Sequence, residues 1–126
     1  MRLKNFSLTL GAQIFKALSD ESRVRILFQL QHNQELSISD LEQILDFTQT
    51  KTSRHLIYLK HAGLVSSRKV DQWVFYQLKD EVKDIINQIF QFLSKDQVLL
   101  NDLETYKILF SNRELATNKL KLKSWP

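Results

Sequence analysis

The 126-residue chain has no cysteine, two glycines and one proline. Without cysteine there is no disulfide, no thiolate nucleophile, no thiolate metal ligand and no thiol redox switch. Chemistry is left to oxygen and imidazole groups, with three histidines to share, His32, His55 and His61. Gly11 and Gly63 are too few for a phosphate-cradling glycine loop, and no G-x-S-x-G elbow occurs. Few breakers favour helices joined by short turns over a many-stranded sandwich. No apolar run approaches the ~18 residues of a membrane span. The opening stretch MRLKNFSLTLGAQIF has two early cations, but polar residues interrupt it and no small-residue cleavage site follows. A secretory signal is therefore not expected, and a cytoplasmic protein is. Carboxylates are scattered, with no pair set apart as an acid/base couple, so catalysis is not expected either.

What is present is ordinary in amount and uneven in place. Hydrophobic residues make up 43% and charged residues 25%, as in a single globular domain. The net charge of +4 is concentrated. Residues 1–47 carry five cations and six anions, and residues 80–126 carry seven of each. Residues 48–79 carry six cations (Lys51, Arg54, Lys60, Arg68, Lys69, Lys79) and one anion, Asp71. A local basic field of this kind attracts polyanions, nucleic acid first among them. The plainer alternative is a solvated basic face with no partner.

Apolar spacing predicts the elements. Leu10, Ile14 and Leu18 recur at spacing four, which predicts a helix near Ser7–Leu18. Asp20 is a good N-cap for a second helix, from Glu21 to about Gln31, and HNQE then reads as a loop. Ser37 with Asp40 three residues on marks the start of a short third helix, ending near Asp46, with Leu41, Ile44 and Leu45 inward. Thr48 can cap a fourth helix, Gln49 to about Ala62, and Gly63 stands where a terminating glycine belongs. Leu56 and Leu59 face its core side with the methyl of Thr52, while Thr50, Arg54, Ile57 and His61 lie opposite. LVSSRKV and WVFYQL, on either side of Asp71-Gln72, predict a two-stranded hairpin whose turn lacks glycine. Its aromatics Trp73, Phe75 and Tyr76 read as packing residues rather than a base-stacking platform. Asp80 starts a fifth helix with a wide apolar stripe, Val82, Ile85, Ile86, Ile89, Phe90 and Leu93. A break near Ser94 or Lys95 leads to a sixth helix, about Asp96–Phe110, and a more polar tail from Ser111 whose end, KLKLKSWP, is expected to be loosely held. The expected organisation is one domain over residues 1–110 and a tail over 111–126.

Two short helices across Asp46-Phe47-Thr48, followed by a basic hairpin, describe a mainly α winged helix-turn-helix fold. The second helix of such a pair enters the major groove. Gln49, Thr50 and Ser53 can hydrogen-bond base edges, Arg54 can bond a guanine or a phosphate, and Ile57 can touch a thymine methyl. Lys51 and Tyr58 flank that face, and Arg68 and Lys69 on the wing would reach backbone or minor groove. The alternative is an exposed polar helix face with no such role, or a winged helix used for protein–protein contact without an operator.

The runs FKALSDESRVRILFQL, ELSISDLEQIL, TQTKTSRHLIYLKHAGLV and SRKVDQWVFYQL resemble the successive blocks of the ArsR/SmtB family of bacterial winged-helix repressors. The likeness covers about residues 14–79 in register. Regulators of the multiple-antibiotic-resistance type share an SRHL-like helix but not the LSDESRVRIL block. The resemblance implies a homodimer on an inverted-repeat operator in double-stranded DNA, with the Gln49–His55 helix in the major groove. It also implies a dimer interface built from the first and last helices. His55 lies inside the SRHL match, where it would bond a backbone phosphate or cap local packing.

The sequence departs from the family at its sensors. Metal-sensing members carry E-L-C-x-C-D-L at the start of the third helix; this chain reads Glu35-Leu36-Ser37-Ile38-Ser39-Asp40-Leu41. A hydroxyl stays protonated near neutral pH and is a poor ligand for metals that prefer soft sulfur. A second sensor class uses His and carboxylates on the helix after the wing, and no His follows His61. His32, His55 and His61 also lack paired spacing of the H-E-x-x-H kind. No metal site, cofactor or inducer is therefore assigned.

Overall fold

The computed structural model describes residues 5–121, with side chains through residue 111. Helix α1 spans Leu8–Ala17, α2 Glu21–His32, strand β1 Leu36–Ser37, α3 Ile38–Leu45 and α4 Gln49–His61. Strands β2 (Val65–Val70) and β3 (Trp73–Leu78) form the hairpin, followed by α5 (Asp80–Gln91) and α6 (Gln97–Lys121).

Short polar side chains set the helix starts except at α5, where Lys79 makes no side-chain cap bond. Asp20 accepts the N–H groups of Ser22 and Arg23 at 2.8 and 3.2 Å. At α3 the cap is reciprocal: Ser37 Oγ accepts from Asp40 N–H, and Asp40 Oδ2 accepts from Ser37 N–H, both at 3.0 Å. Two orphan donors are thereby satisfied at once. The end of α4 is made by Gly63, at φ +87°. Leu64 N–H donates to Leu59 O at 3.0 Å and Gly63 N–H to Lys60 O at 3.1 Å. This double reversal needs a left-handed residue, which glycine supplies without strain.

The sheet has three strands in the order β1-β3-β2, all antiparallel. Asp71, at φ +54°, supplies the left-handed residue that the glycine-free turn requires. The strand β1 is not expected from sequence. It is two residues long, pairing Leu36 with Tyr76 and Ser37 with Phe75, too short to show alternation. In the hairpin Val65, Ser67 and Lys69 stand opposite Leu78, Tyr76 and Val74. Directly opposed residues share a face, so these six share one. Val65, Tyr76 and Leu78 are buried, which makes it the core face. Ser66, Arg68 and Val70, opposite Gln77, Phe75 and Trp73, take the other.

The core gathers Leu27 and Phe28 of α2, Leu41 of α3, Leu56 and Leu59 of α4, and Val82, Ile86 and Phe90 of α5, with Ile14 and Ala17 of α1. Phe28 and Phe90 meet edge to face, 5.2 Å between centroids. The α5 stripe is wider than this core uses. Ile85 and Ile89 are half-buried, and Phe92, just past the helix, is 89% exposed. On α1, Leu8 and Phe15 are also exposed.

Helix α6 departs from the sequence reading. A tail was expected from Ser111, yet the helix continues to Lys121; residues 122–126 lie outside the described residues. None of the residues of Ser-Asn-Arg-Glu is a helix breaker, so loss of apolar spacing does not end the helix. Asp96 starts it by accepting Val98 and Leu99 N–H at 2.9 and 3.2 Å. Helix α6 docks on α2 through a fork: Arg25 Nε and Nη2 each donate to Asp102 at 2.9 Å. Leu99 is buried, and Leu103, Tyr106 and Phe110 pack beside it.

Candidate nucleic-acid interface

Helices α3 and α4 are joined by Asp46-Phe47-Thr48. Asp46 turns the chain at φ +56°, and Phe47 plugs the turn with 9% of its surface exposed. Thr48 Oγ1 accepts Lys51 N–H at 3.2 Å and the Thr48 carbonyl accepts Thr52 Oγ1–H at 2.8 Å. The N–H groups of Gln49 and Thr50, in the first turn, are left without intrahelical acceptors. With the helix dipole they make that end attractive to a phosphate.

Burial sorts the α4 side chains. Thr52, Leu56 and Leu59 are fully buried, as their spacing predicts. Gln49, Thr50, Arg54, Ile57 and His61 are exposed, and Lys51 and Ser53 are half-buried. The outward face is therefore polar and basic with one apolar residue, Ile57, at its centre. The Lys51 ammonium lies 4.1 Å from the Phe47 ring centroid, and the Arg25 guanidinium lies 5.0 Å from the same ring. The turn thus holds a cation at the head of the helix.

Three of the residues expected to meet DNA are buried or already engaged within the chain. His55 is buried, not on the outward face. Burial penalises its charged form, and the cations Arg23, Arg54 and Lys51 add to this against the opposing pull of Asp20. Its imidazole pKa therefore lies below the usual value, and of its two expected roles the structure supports packing. Tyr58 is half-buried and turned towards α2, with the Arg23 guanidinium 4.2 Å from its ring centroid. The same Arg23 donates to the carbonyls of Ala17 and Lys16, both at 3.0 Å, and so ties the end of α1 to α4. Arg68 is exposed but engaged: Nε and Nη2 donate to Glu35 Oε2 and Oε1 at 2.6 and 2.7 Å. Lys69, also exposed, lies on the opposite sheet face, the one that α4 abuts. There Lys60 Nζ donates to Ser67 Oγ at 2.8 Å.

Sequence reasoning missed Arg23, Glu35 and Lys60 as positioning groups. Arg23 sits in the LSDESRVRIL block, but nothing local signals a partner on α4. Glu35 becomes adjacent to Arg68 only through the β1–β3 pairing.

Among the described residues no group of three or more His, Asp or Glu side chains is placed to hold a metal ion. Ser37, where thiolate sensors carry a cysteine, has its hydroxyl committed to the α3 cap. No described helix is long and apolar enough to cross a membrane.

Residues 20–67 match the family described as "Bacterial regulatory protein, arsR family". This span runs from the cap of α2 through α3 and α4 into β2. The arsenic resistance transcriptional regulator ArsR1 of Pseudomonas putida is 33% identical over 98 residues, covering 71% of this chain and 77% of that protein. The chain belongs to the arsR family of bacterial regulatory proteins. The arsenical resistance operon repressor of Escherichia coli is 42% identical over 76 residues, 60% of this chain and 65% of its own length. Among solved structures, HlyU from Vibrio cholerae superposes with a TM-score of 0.64 at 37% identity, over 68% of this chain and 94% of that one. The HlyU of that organism bears the name of a transcriptional activator. The winged helix-turn-helix expected from sequence is therefore the fold found, and the ArsR-family chain is a transcriptional regulator.

Proposed function

We propose that this ArsR-family regulator is a homodimeric, cytoplasmic repressor that binds an inverted-repeat operator in double-stranded DNA and lacks the thiolate sensor of its metal-responsive relatives. The observation that carries the reading is the outward face of α4. Gln49, Thr50, Ser53 and Arg54 cluster in its N-terminal half with a free helix end, and the wing cation Lys69 lies on the sheet face to which Lys60, near the other end of α4, is bonded through Ser67. Gln49, Thr50 and Ser53 read base edges, Arg54 takes a guanine or a phosphate, and Ile57 touches a thymine methyl. Lys51 and Lys69 neutralise phosphates.

Dimerisation through α1 and the helices after the wing, α5 and α6, would cover Leu8, Phe15, Phe92, Val98 and Ile108, large apolar side chains that the monomer leaves in water. Two copies of α4 then dock together in successive major grooves, about one helical turn apart. A signal that changes the angle between subunits releases DNA, because both helices no longer fit at once.

The test is a mobility-shift assay on the protein's own promoter at two salt concentrations with competitor DNA. Specific binding that resists competitor is expected. Arg54→Ala should cost about 1–3 kcal/mol of operator affinity. Binding lost equally to any competitor would leave the fold as a protein–protein module. A promoter–reporter fusion gives the sign: deletion of the regulator raises expression if it represses and lowers it if it activates.

A further inference from the structure

We infer that Arg68 is a positioning residue rather than a DNA contact: forked to Glu35, it fixes the wing against the helix-turn-helix and leaves Lys69 as the wing's phosphate-binding cation. The inference rests on the DNA-binding reading above, and refines it at the wing.

Register comes first. Arg68 stands opposite Phe75 and Lys69 opposite Val74, so the two cations lie on opposite faces of the hairpin. Lys69 shares its face with Ser67, to which Lys60 of α4 is bonded. Arg68 shares its face with Phe75, and its guanidinium lies 5.6 Å from that ring's centroid. Of the two neighbouring cations, only Lys69 is on the side of the reading helix.

Geometry comes second. The fork at 2.6 and 2.7 Å is bidentate and charge-assisted, the strongest form of side-chain pairing. Its two residues are 33 apart in sequence. Glu35 directly precedes β1, whose Leu36 is 1% exposed, so the carboxylate is carried on a buried anchor. Arg68 is on β2, and β3 lies between β1 and β2. The fork therefore crosses the middle strand and ties the far edge of the sheet to the segment that caps α3.

The purpose of such a tie is geometric. An exposed ion pair contributes little to folding, and Arg68 is about half exposed. A two-stranded ribbon is pliable by itself, and β1 holds it by two residue pairs alone. The fork takes up Nε and Nη2 and pairs the guanidinium's charge with the Glu35 carboxylate, so Arg68 offers a phosphate little net positive charge.

The experiment measures affinity for a fluorescent duplex from the protein's own promoter across a KCl series, together with hydrogen exchange of the β2 and β3 amides in the free protein. Lys69→Ala should make the slope of log K against log salt shallower by about 1.8, the value for two phosphates, one from each wing of the dimer. Arg68→Ala should weaken binding several-fold with the slope unchanged, and speed amide exchange in the hairpin. The charge swap Glu35→Arg with Arg68→Glu should restore both affinity and exchange towards the parent, whereas Arg68→Glu alone does not. If Arg68→Ala flattens the slope as Lys69→Ala does, or the swap fails to rescue either readout, the inference is overturned. A parent protein that shows no specific DNA binding overturns the operator reading instead, and the exchange data still decide the brace.

Discussion

Asp102→Asn keeps the shape of the α6 side chain that meets Arg25 and removes its charge. In the native protein both carboxylate oxygens accept from the guanidinium at 2.9 Å, with the Asp102 side chain 6% and the Arg25 side chain 27% exposed. A hydrogen bond to a charged group is worth ~1.5–3 kcal/mol, and removing one member of a fully buried pair costs ~3–5 kcal/mol. The cost here is smaller for two reasons. Arg25 reaches water with about a quarter of its surface, and it keeps the Phe47 face at 5.0 Å and a long contact to the Leu45 carbonyl at 3.4 Å. A loss of about 2 kcal/mol is expected, which for a domain of this size lowers Tm by roughly 6–10 °C. Urea melts followed by circular dichroism check it. If α6 also undocks, the native state buries less surface and the m-value falls. A double-mutant cycle with Arg25→Met should show at least ~1 kcal/mol of coupling. A loss under ~0.5 kcal/mol, or additive single mutants, would mean that the fork does not hold α6 to α2.

Gly63→Ala should cost ~1–2 kcal/mol in a thermal melt, from the left-handed backbone alone; an added Cβ meets only Leu10 Cδ1, at an ordinary 3.8 Å. Tyr58→Phe should be neutral or slightly stabilising in a urea melt, because the buried hydroxyl has no hydrogen-bond partner among the described residues. A loss above ~1 kcal/mol would show that the hydroxyl is satisfied in solution. The His55 pKa is depressed in the fold, so the unfolded chain binds that proton more tightly. Its stabilising contribution is complete above the ordinary imidazole value of ~6.5 and is lost as pH falls through the lower folded value. Asp20, whose burial is outweighed by the N–H groups of Arg23 and Ser22, is also depressed, and its contribution disappears further down, below the usual carboxylate range. Urea midpoints at several pH values between 7.5 and 5 should therefore fall for the parent and stay flatter for His55→Gln.

The fourth helix was the most legible part of the site. Its inward residues Thr52, Leu56 and Leu59, its cap Thr48 and its stop Gly63 are set by local rules, so their positions follow from spacing. The same spacing could not tell whether a flanking side chain turns in or out. His55 and Tyr58 sit at the edges of the stripe, and only the packing of α2 against α4 sends them inward. Arg68 and Lys69 look equivalent as neighbours in a basic run. Strand alternation separates them, and the β1 pairing, unreadable from two residues, gives one of them a partner.

Composition and periodicity were enough for the absence of thiolate chemistry, the placement of the basic excess and the order of helices up to the wing. Each of these depends on residues close in sequence, where caps, glycine and apolar spacing act directly. The fork of α6 to Arg25 and the tie between Glu35 and Arg68 depend on residues 77 and 33 positions apart. Such contacts exist only once the core has brought the segments together. The tertiary structure therefore decides which of the cations clustered in the sequence are free to meet a polyanion and which are already bound.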